Sequence, residues 1–253
     1  MSGGGTGARG SGSGGSGTQP GAALFLLAHH DDEVFCAGAL GAALAAGRRI
    51  RILWATAGGL APAARRLSEG RRVQRLLALP DADVHMLGLP DQHAVDHLGL
   101  LEREAASLMD GVAKVFVTAW EGGHPDHDAM NLVAARLRAR AGDAGTRPAF
   151  FEFGLYRRGR GGLAVKTPVL DAEPVLDASG LALRRALVHA DSSQWPSLGV
   201  LALAGRLQHT WETEPVRELP PARDYSLPPA SEPMLYRLYT RWDFAAFRRA
   251  AGV

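Results

Sequence analysis

Beyond its first twenty residues, the chain alternates short apolar runs with longer segments of helical periodicity. The run AALFLLA at 22–28 is continuously apolar and of strand length, the pattern of a strand buried on both faces. Further runs at 49–56 (RIRILWAT), 84–89 (VHMLGL), 114–120 (KVFVTAW) and 149–156 (AFFEFGLY) read as strands. The segments between them, at 33–46, 65–79, 98–110 and 126–140, read as helices, the first stopped by Gly47. Strands and helices alternating at these spacings predict βαβ units. The fold class expected is α/β: a Rossmann-like, mostly parallel sheet with helices on both faces.

Past Arg157 the pattern weakens. GRGG at 159–162 reads as a turn, VKTPVL at 165–170 as a strand and 181–190 as a short helix. A proline-rich stretch at 215–233 then leads into LYRLYTRWDFAAFRRA. This half is expected to complete the domain and wall a substrate pocket. Residues 2–20 are mostly glycine, serine and threonine; with almost nothing to bury, they predict a disordered tail ahead of a single domain over 21–253.

Composition narrows the function. With 46% hydrophobic residues in 253, a real core is available. The formal net charge is +2 and basic residues interleave with acids, so the chain lacks the concentrated footprint of a nucleic-acid binder. The single cysteine, Cys36, excludes an intramolecular disulfide framework and a CxxC metal site; its place in an apolar helix predicts an inert, packed thiol. No apolar run reaches the roughly eighteen residues of a membrane span. No secretory pattern opens the sequence, and a soluble cytoplasmic protein is expected.

The chemistry is concentrated at two predicted strand ends. His29-His30-Asp31-Asp32-Glu33 follows the first strand, and His124-Pro125-Asp126-His127-Asp128 follows the fourth. In open parallel sheets ligands bind beyond the carboxyl ends of strands, so both clusters fall on the functional edge. A catalytic zinc needs three His or carboxylate ligands and an open position, with a carboxylate to take the proton of the activated water. Asp31 and Asp32 are adjacent on a tight turn and must point in different directions, so one can reach a metal while the other faces the water. His124 and His127, three apart at a helix start, can face one space. The residue types fit a two-histidine, one-carboxylate hydrolase. Asp32 and Asp126 are also natural helix caps, and Glu33 suits a first-turn acid or a partner to a ligating histidine.

AHHDDEVF followed by HPDH resembles the PIG-L/LmbE-like family of zinc-dependent N-acetylglucosamine deacetylases. The segment ARRLSEGRR resembles the family's R-x-x-E helix start, MLGLPDQ its LGLPD-type strand end, and DSSQ at 191–194 a downstream SQ motif. The resemblance implies one Zn2+ per chain held by His29, Asp32 and His127. Asp31 would be the general base and His124 the group that polarises the carbonyl, as imidazolium or as a hydrogen-bond donor. Arg66 and Asp91 would contact sugar hydroxyls. The chain has His30 where the family usually has proline. That imidazole either competes as a ligand or adds a donor at the pocket rim. The implied partner is a small-molecule or glycoconjugate substrate bearing an N-acetyl group. An amidase acting on a bulkier N-acyl or thiol-conjugate substrate, and a non-catalytic Rossmann-like ligand-binding module, are the alternatives. Against the module, acids follow the first strand where a GxGxxG turn would stand.

Overall fold

The computed structural model describes residues 1, 21–141, 147–159, 164–165, 176–207, 211–214, 216–229 and 233–253. The expected tail at 2–20, most of the expected turn at 159–162 and all of the expected strand at 165–170 except Val165 lie outside the described residues.

β1 (Ala22–Leu27) is buried at every position, and its side chains divide between the two faces of the sheet. Leu24 and Leu26 join one core, Ala23, Phe25 and Leu27 the other. The remaining elements follow as α1 (Ala37–Ala45), β2 (Ile50–Thr56), α2 (Ala63–Leu76), β3 (Val84–Leu89), α3 (Leu98–Ser107), β4 (Val112–Thr118), α4 (Pro125–Arg140) and β5 (Ala149–Phe153). Then come β6 (Arg157–Arg158), β7 (Ala164–Val165), α5 (Ala178–Ala190), α6 (Trp195–Leu207), β8 (Val216–Glu218) and α7 (Phe244–Ala251). Six strands form one sheet in the order β3-β2-β1-β4-β5-β8; β6 and β7 pair separately. The first five strands are parallel, and β8 closes the edge antiparallel to β5.

Both faces are covered. α3, α4 and α7 pack on one through Leu101, Val133, Leu137 and Phe247. α1, α2, α5 and α6 contribute Leu40, Val73, Leu187 and Leu198 to the other. Phe25, Phe116 and Phe151 stack across β1, β4 and β5 with centroids 4.8 and 5.2 Å apart.

The order 3-2-1-4-5 reverses between β1 and β4, which are hydrogen-bonded neighbours with Leu24 opposite Val115 and Leu26 opposite Val117. Chain connections leave these two strands in opposite directions, so a crevice opens at their carboxyl ends. The two motif-bearing strands of the sequence are therefore the pair at the switch point.

Two boundaries differ from expectation for identifiable reasons. The helix expected from residue 33 opens as a 3-10 turn, Asp32–Cys36, before α1 begins. Glu214 caps α1 instead, its carboxylate accepting the N–H groups of Gly38 (2.7 Å) and Ala39 (2.8 Å). The strand expected to reach residue 156 stops at Phe153. The N–H groups of Leu155 and Tyr156 leave the sheet and donate to the buried Glu121 carboxylate at 3.1 Å.

Candidate functional site

The tight turn after β1 is built by Asp32. Its Oδ2 accepts the N–H groups of Ala28 (2.8 Å) and His29 (2.9 Å), so this carboxylate folds back on the strand end instead of capping the following helix. Oδ1 is left facing His127 Nε2 at 3.2 Å and His29 Nδ1 at 3.7 Å. His29 Nδ1 and His127 Nε2 are themselves 3.2 Å apart. His29, Asp32 and His127 are all buried, and three donor atoms thus converge on one small space.

The α4 start supplies the rest. Pro125 occupies the first helical turn, and His124 is the N-cap, its Nδ1 accepting the N–H of Asp126 at 3.2 Å. With Nδ1 an acceptor, the neutral ring carries its proton on Nε2. Burial pushes the His124 pKa down to about 3, so the ring is neutral at physiological pH. Asp126 is not the cap expected of it. Its fully buried carboxylate accepts N–H bonds from Gln92 (2.7 Å) and Ala94 (2.9 Å) and faces His29 Nε2 at 3.3 Å. Gln92 reaches that position with a left-handed φ of 67°. A carboxylate on the far nitrogen of a histidine fixes its tautomer and orientation, leaving Nδ1 as the free donor atom. Burial lowers the His29 pKa, but Asp126, Asp32 and Asp91 more than offset it and hold the imidazolium form well above its ordinary range.

Gly123, before His124, allows a close backbone passage: a Cβ there would collide with the Tyr156 carbonyl. The Tyr239 hydroxyl donates to the Gly123 carbonyl, and Leu235 N donates to Gly122 O at 2.9 Å. The C-terminal segment therefore braces the turn that presents His124.

Asp31 lies at the edge of the cluster with its side chain 18% exposed, and Arg66 Nη2 is 3.4 Å from its Oδ1. Burial, partly countered by Arg66, pushes the Asp31 carboxyl up to about 7. Arg66 itself is buried. It donates to Ala57 O (3.1 Å), Glu69 Oε2 (2.8 Å), Ser193 Oγ (3.4 Å) and the His30 carbonyl. Glu69 accepts the N–H of Ser193 at 2.8 Å and its hydroxyl at 2.6 Å. The R-x-x-E and DSSQ segments of the sequence thus interlock beneath Asp31. Within DSSQ, burial first and the neighbouring Glu33 charge second push buried Asp191 up to about 11, so it is neutral there. Glu33 accepts from Trp54 Nε1 at 3.2 Å and is no partner to a ligating histidine.

Asp91 lies 3.3 Å from His29 Nε2 and 3.6 Å from His124 Nε2, with its side chain 27% exposed. His30 is absent from the cluster. It is fully buried, its ring lying 4.8 Å from that of Trp54, so it is neither a donor at the rim nor near the converging ligands. Cys36 is buried, as expected. The tryptophans stand away from the cavity lining: Trp242 is core, and Trp195 is half exposed at the start of α6. Tyr156 and Tyr239 line the cavity instead, two residues that no motif in the sequence singles out.

His29, Asp31, Asp32, Arg66, Asp91, His124 and His127, every expected site residue, line one cavity of about 580 Å³. A second cavity of the same volume, against α1 and β5, contains none of them.

Residues 24–137 match the PIG-L family. That family is described as GlcNAc-PI de-N-acetylase, and the match spans both motifs. No curated protein matches the chain. Among solved structures, a deacetylase from the biosynthesis pathway of teicoplanin superposes with a TM-score of 0.56 at 16% identity, covering 78% of this chain and 98% of that one. A conserved protein from Thermus thermophilus gives 0.53 at 20% identity, covering 81% and 97%. The N,N'-diacetylchitobiose deacetylase from Pyrococcus horikoshii gives 0.52 at 16% identity, covering 81% and 87%. At these identities the structures share the fold with this chain. The PIG-L resemblance drawn from AHHDDE and HPDH is borne out, as is the mostly parallel α/β sheet. Among the described residues, no helix is long and apolar enough to cross a membrane.

Proposed function

We propose that the chain is a zinc-dependent N-deacetylase acting on an N-acetylglucosamine-containing small molecule or glycoconjugate. The observation that carries this reading is the convergence of His29 Nδ1, Asp32 Oδ1 and His127 Nε2 at separations of 3.2 to 3.7 Å. Ligands on a tetrahedral ion with bonds of about 2.0–2.1 Å stand roughly 3.3–3.4 Å apart, so the donor set fits Zn2+ in kind and in spacing. Asp126 on the far side of His29 is the outer carboxylate that such ligands commonly have. Zn2+ bound by these residues would acidify a water and polarise the substrate carbonyl.

The protein's own groups divide the remaining work. Asp31 takes the proton of the attacking water and returns it to the departing amine. Burial holds its carboxyl near the operating pH, which suits a general base. His124 donates Nε2–H to the oxygen that gains charge as the carbonyl becomes tetrahedral. Its lowered pKa and its Nδ1 acceptor bond support donation from Nε2 of the neutral ring over the imidazolium alternative. Asp91, partly exposed at the cavity, is suited to a sugar hydroxyl. Arg66, with its guanidinium committed to four protein acceptors, acts on substrate chiefly through Asp31. The N-acetylglucosamine moiety is supported by the PIG-L match.

Zinc titration of metal-stripped protein, followed by an assay of acetate release from N-acetylglucosaminides, tests the proposal. One tight site with acetate release supports it. Tight zinc without release from any N-acetylglucosaminide would favour a binding module, and no tight zinc would remove the mechanism.

A further inference from the structure

We infer that Trp242 is a positioning residue for the histidine–carboxylate cluster: its indole N–H holds the Gln92 peptide in the conformation that fixes Asp126 behind His29. This rests on the zinc reading for what His29 does, and it assigns a role to a residue far outside both motifs.

The contacts run outward from His29. Asp126 faces His29 Nε2 at 3.3 Å, and its two oxygens accept the N–H groups of Gln92 at 2.7 Å and Ala94 at 2.9 Å. These two backbone bonds aim the buried carboxylate, so its orientation depends on the loop that follows β3. Within that loop Gln92 has a φ of 67°. Such a conformation is costly for a residue with a Cβ and persists only where the surroundings hold it. Here both ends of the residue are held. Its N–H is taken by Asp126, and its carbonyl accepts Trp242 Nε1–H at 2.8 Å. The two residues are 150 positions apart, and the family match ends at residue 137, so neither motif contains the contact. The indole is itself fixed in place. Trp242 is 6% exposed, its backbone N–H donates to Thr240 Oγ1 at 3.0 Å, and the Arg241 guanidinium lies 5.1 Å from the ring centroid. The next residue, Asp243, caps α7 by accepting the Ala246 N–H at 2.8 Å. A buried indole N–H needs an acceptor. The acceptor here is the one peptide whose left-handed turn the cluster uses. Without that donor the Gln92 backbone relaxes towards negative φ and its N–H leaves Asp126, which then orients His29 less firmly. A histidine ligand held less firmly binds metal more weakly.

Zinc affinity by calorimetry and hydrogen exchange of the residue 92 amide in metal-free protein test this. They are measured on the parent, on Trp242→Phe, and on Trp242→Phe combined with Gln92→Gly. Trp242→Phe keeps an aromatic side chain in the core and removes the donor. It should weaken zinc by about 2–10-fold, the worth of one hydrogen bond, and lower protection of the amide by a similar factor relative to its intrinsic rate. Glycine adopts positive φ at little cost, so adding Gln92→Gly should return both values most of the way to those of the parent. Parent zinc affinity in Trp242→Phe would overturn the inference. So would a loss that Gln92→Gly leaves in place, because a packing defect around the ring is not repaired by glycine at position 92. Should Trp242→Phe fail to fold, Gln92→Val keeps the indole but disfavours the left-handed backbone, since its side chain is β-branched. It should weaken zinc by at least as much, and parent affinity in that variant overturns the inference. If the parent takes up no zinc, the deacetylase reading falls and amide exchange alone decides. Faster exchange in Trp242→Phe that Gln92→Gly reverses supports the clamp on Asp126, and equal protection overturns it.

Discussion

His30 packs into a space that exists because residue 70 is glycine. A Cβ at Gly70 on α2 would collide with Nδ1 and Cε1 of the His30 ring, and Met86 also bounds the site. The imidazole is fully buried, with both nitrogens unbonded to protein, and burial first, then Arg66, hold its pKa down to about 3. A neutral aromatic ring over Trp54 is therefore its working state.

Gly70→Ala is expected to destabilise the protein by about 1–3 kcal/mol through overpacking. His30→Ala removes the obstructing ring, so the double variant should lose less than the sum of the two singles. Denaturant unfolding of the four proteins measures the coupling, and additivity would show that the residues do not share the space. His30→Ala should also leave zinc stoichiometry at one, which excludes the competing ligand.

His127→Ala removes one of the three converging donors and should abolish tight zinc binding. Asp126→Asn removes only the charge behind His29, and its zinc affinity should fall by about 10–100-fold. Metal titration monitored by calorimetry separates the two, and unchanged affinity in Asp126→Asn would deny it the orienting role.

Asp31→Asn should retain zinc while losing about 10²–10⁴-fold in kcat, the usual contribution of a positioned base. His124→Ala should lower kcat by about 10²–10³-fold with a smaller effect on KM, the mark of a donor used in the transition state. A defect confined to KM in His124→Ala would assign it to ground-state binding.

Glu152 provides a pH test away from the active site. Burial pushes its carboxyl up, but hydrogen bonds from Arg223 at 2.6 and 2.7 Å and the Arg217 charge outweigh it and leave the group below its ordinary value of 4.5. A depressed carboxyl contributes stability at pH values above 4.5 and loses it as pH falls through the lowered value. Glu152→Gln should therefore be less stable than the parent at neutral pH, and the gap should narrow on acidification. Chemical denaturation at neutral pH and at pH 3 checks the sign.

The sequence alone determined the sheet-and-helix alternation, because strands buried on both faces must be continuously apolar and therefore stand out as runs such as 22–28. It also located AHHDDE and HPDH at strand ends, since polar clusters that interrupt apolar runs are legible without coordinates. The antiparallel edge strand β8 was not legible, because a three-residue segment carries too little periodicity to be told from a turn. Only the tertiary structure decided the site. The pairing of β1 with β4, strands some ninety residues apart, is set by sheet order, and it alone brings His29 within 3.2 Å of His127. Asp126 and His30 show the same limit in opposite directions. One looked like a helix cap and faces His29 Nε2 instead; the other, read as a competing ligand or a rim donor, is packed between Gly70 and Trp54. Residue type fixes what a side chain can do, but the atoms within hydrogen-bonding reach decide what it does, and for these residues the relevant atoms lie far away along the chain.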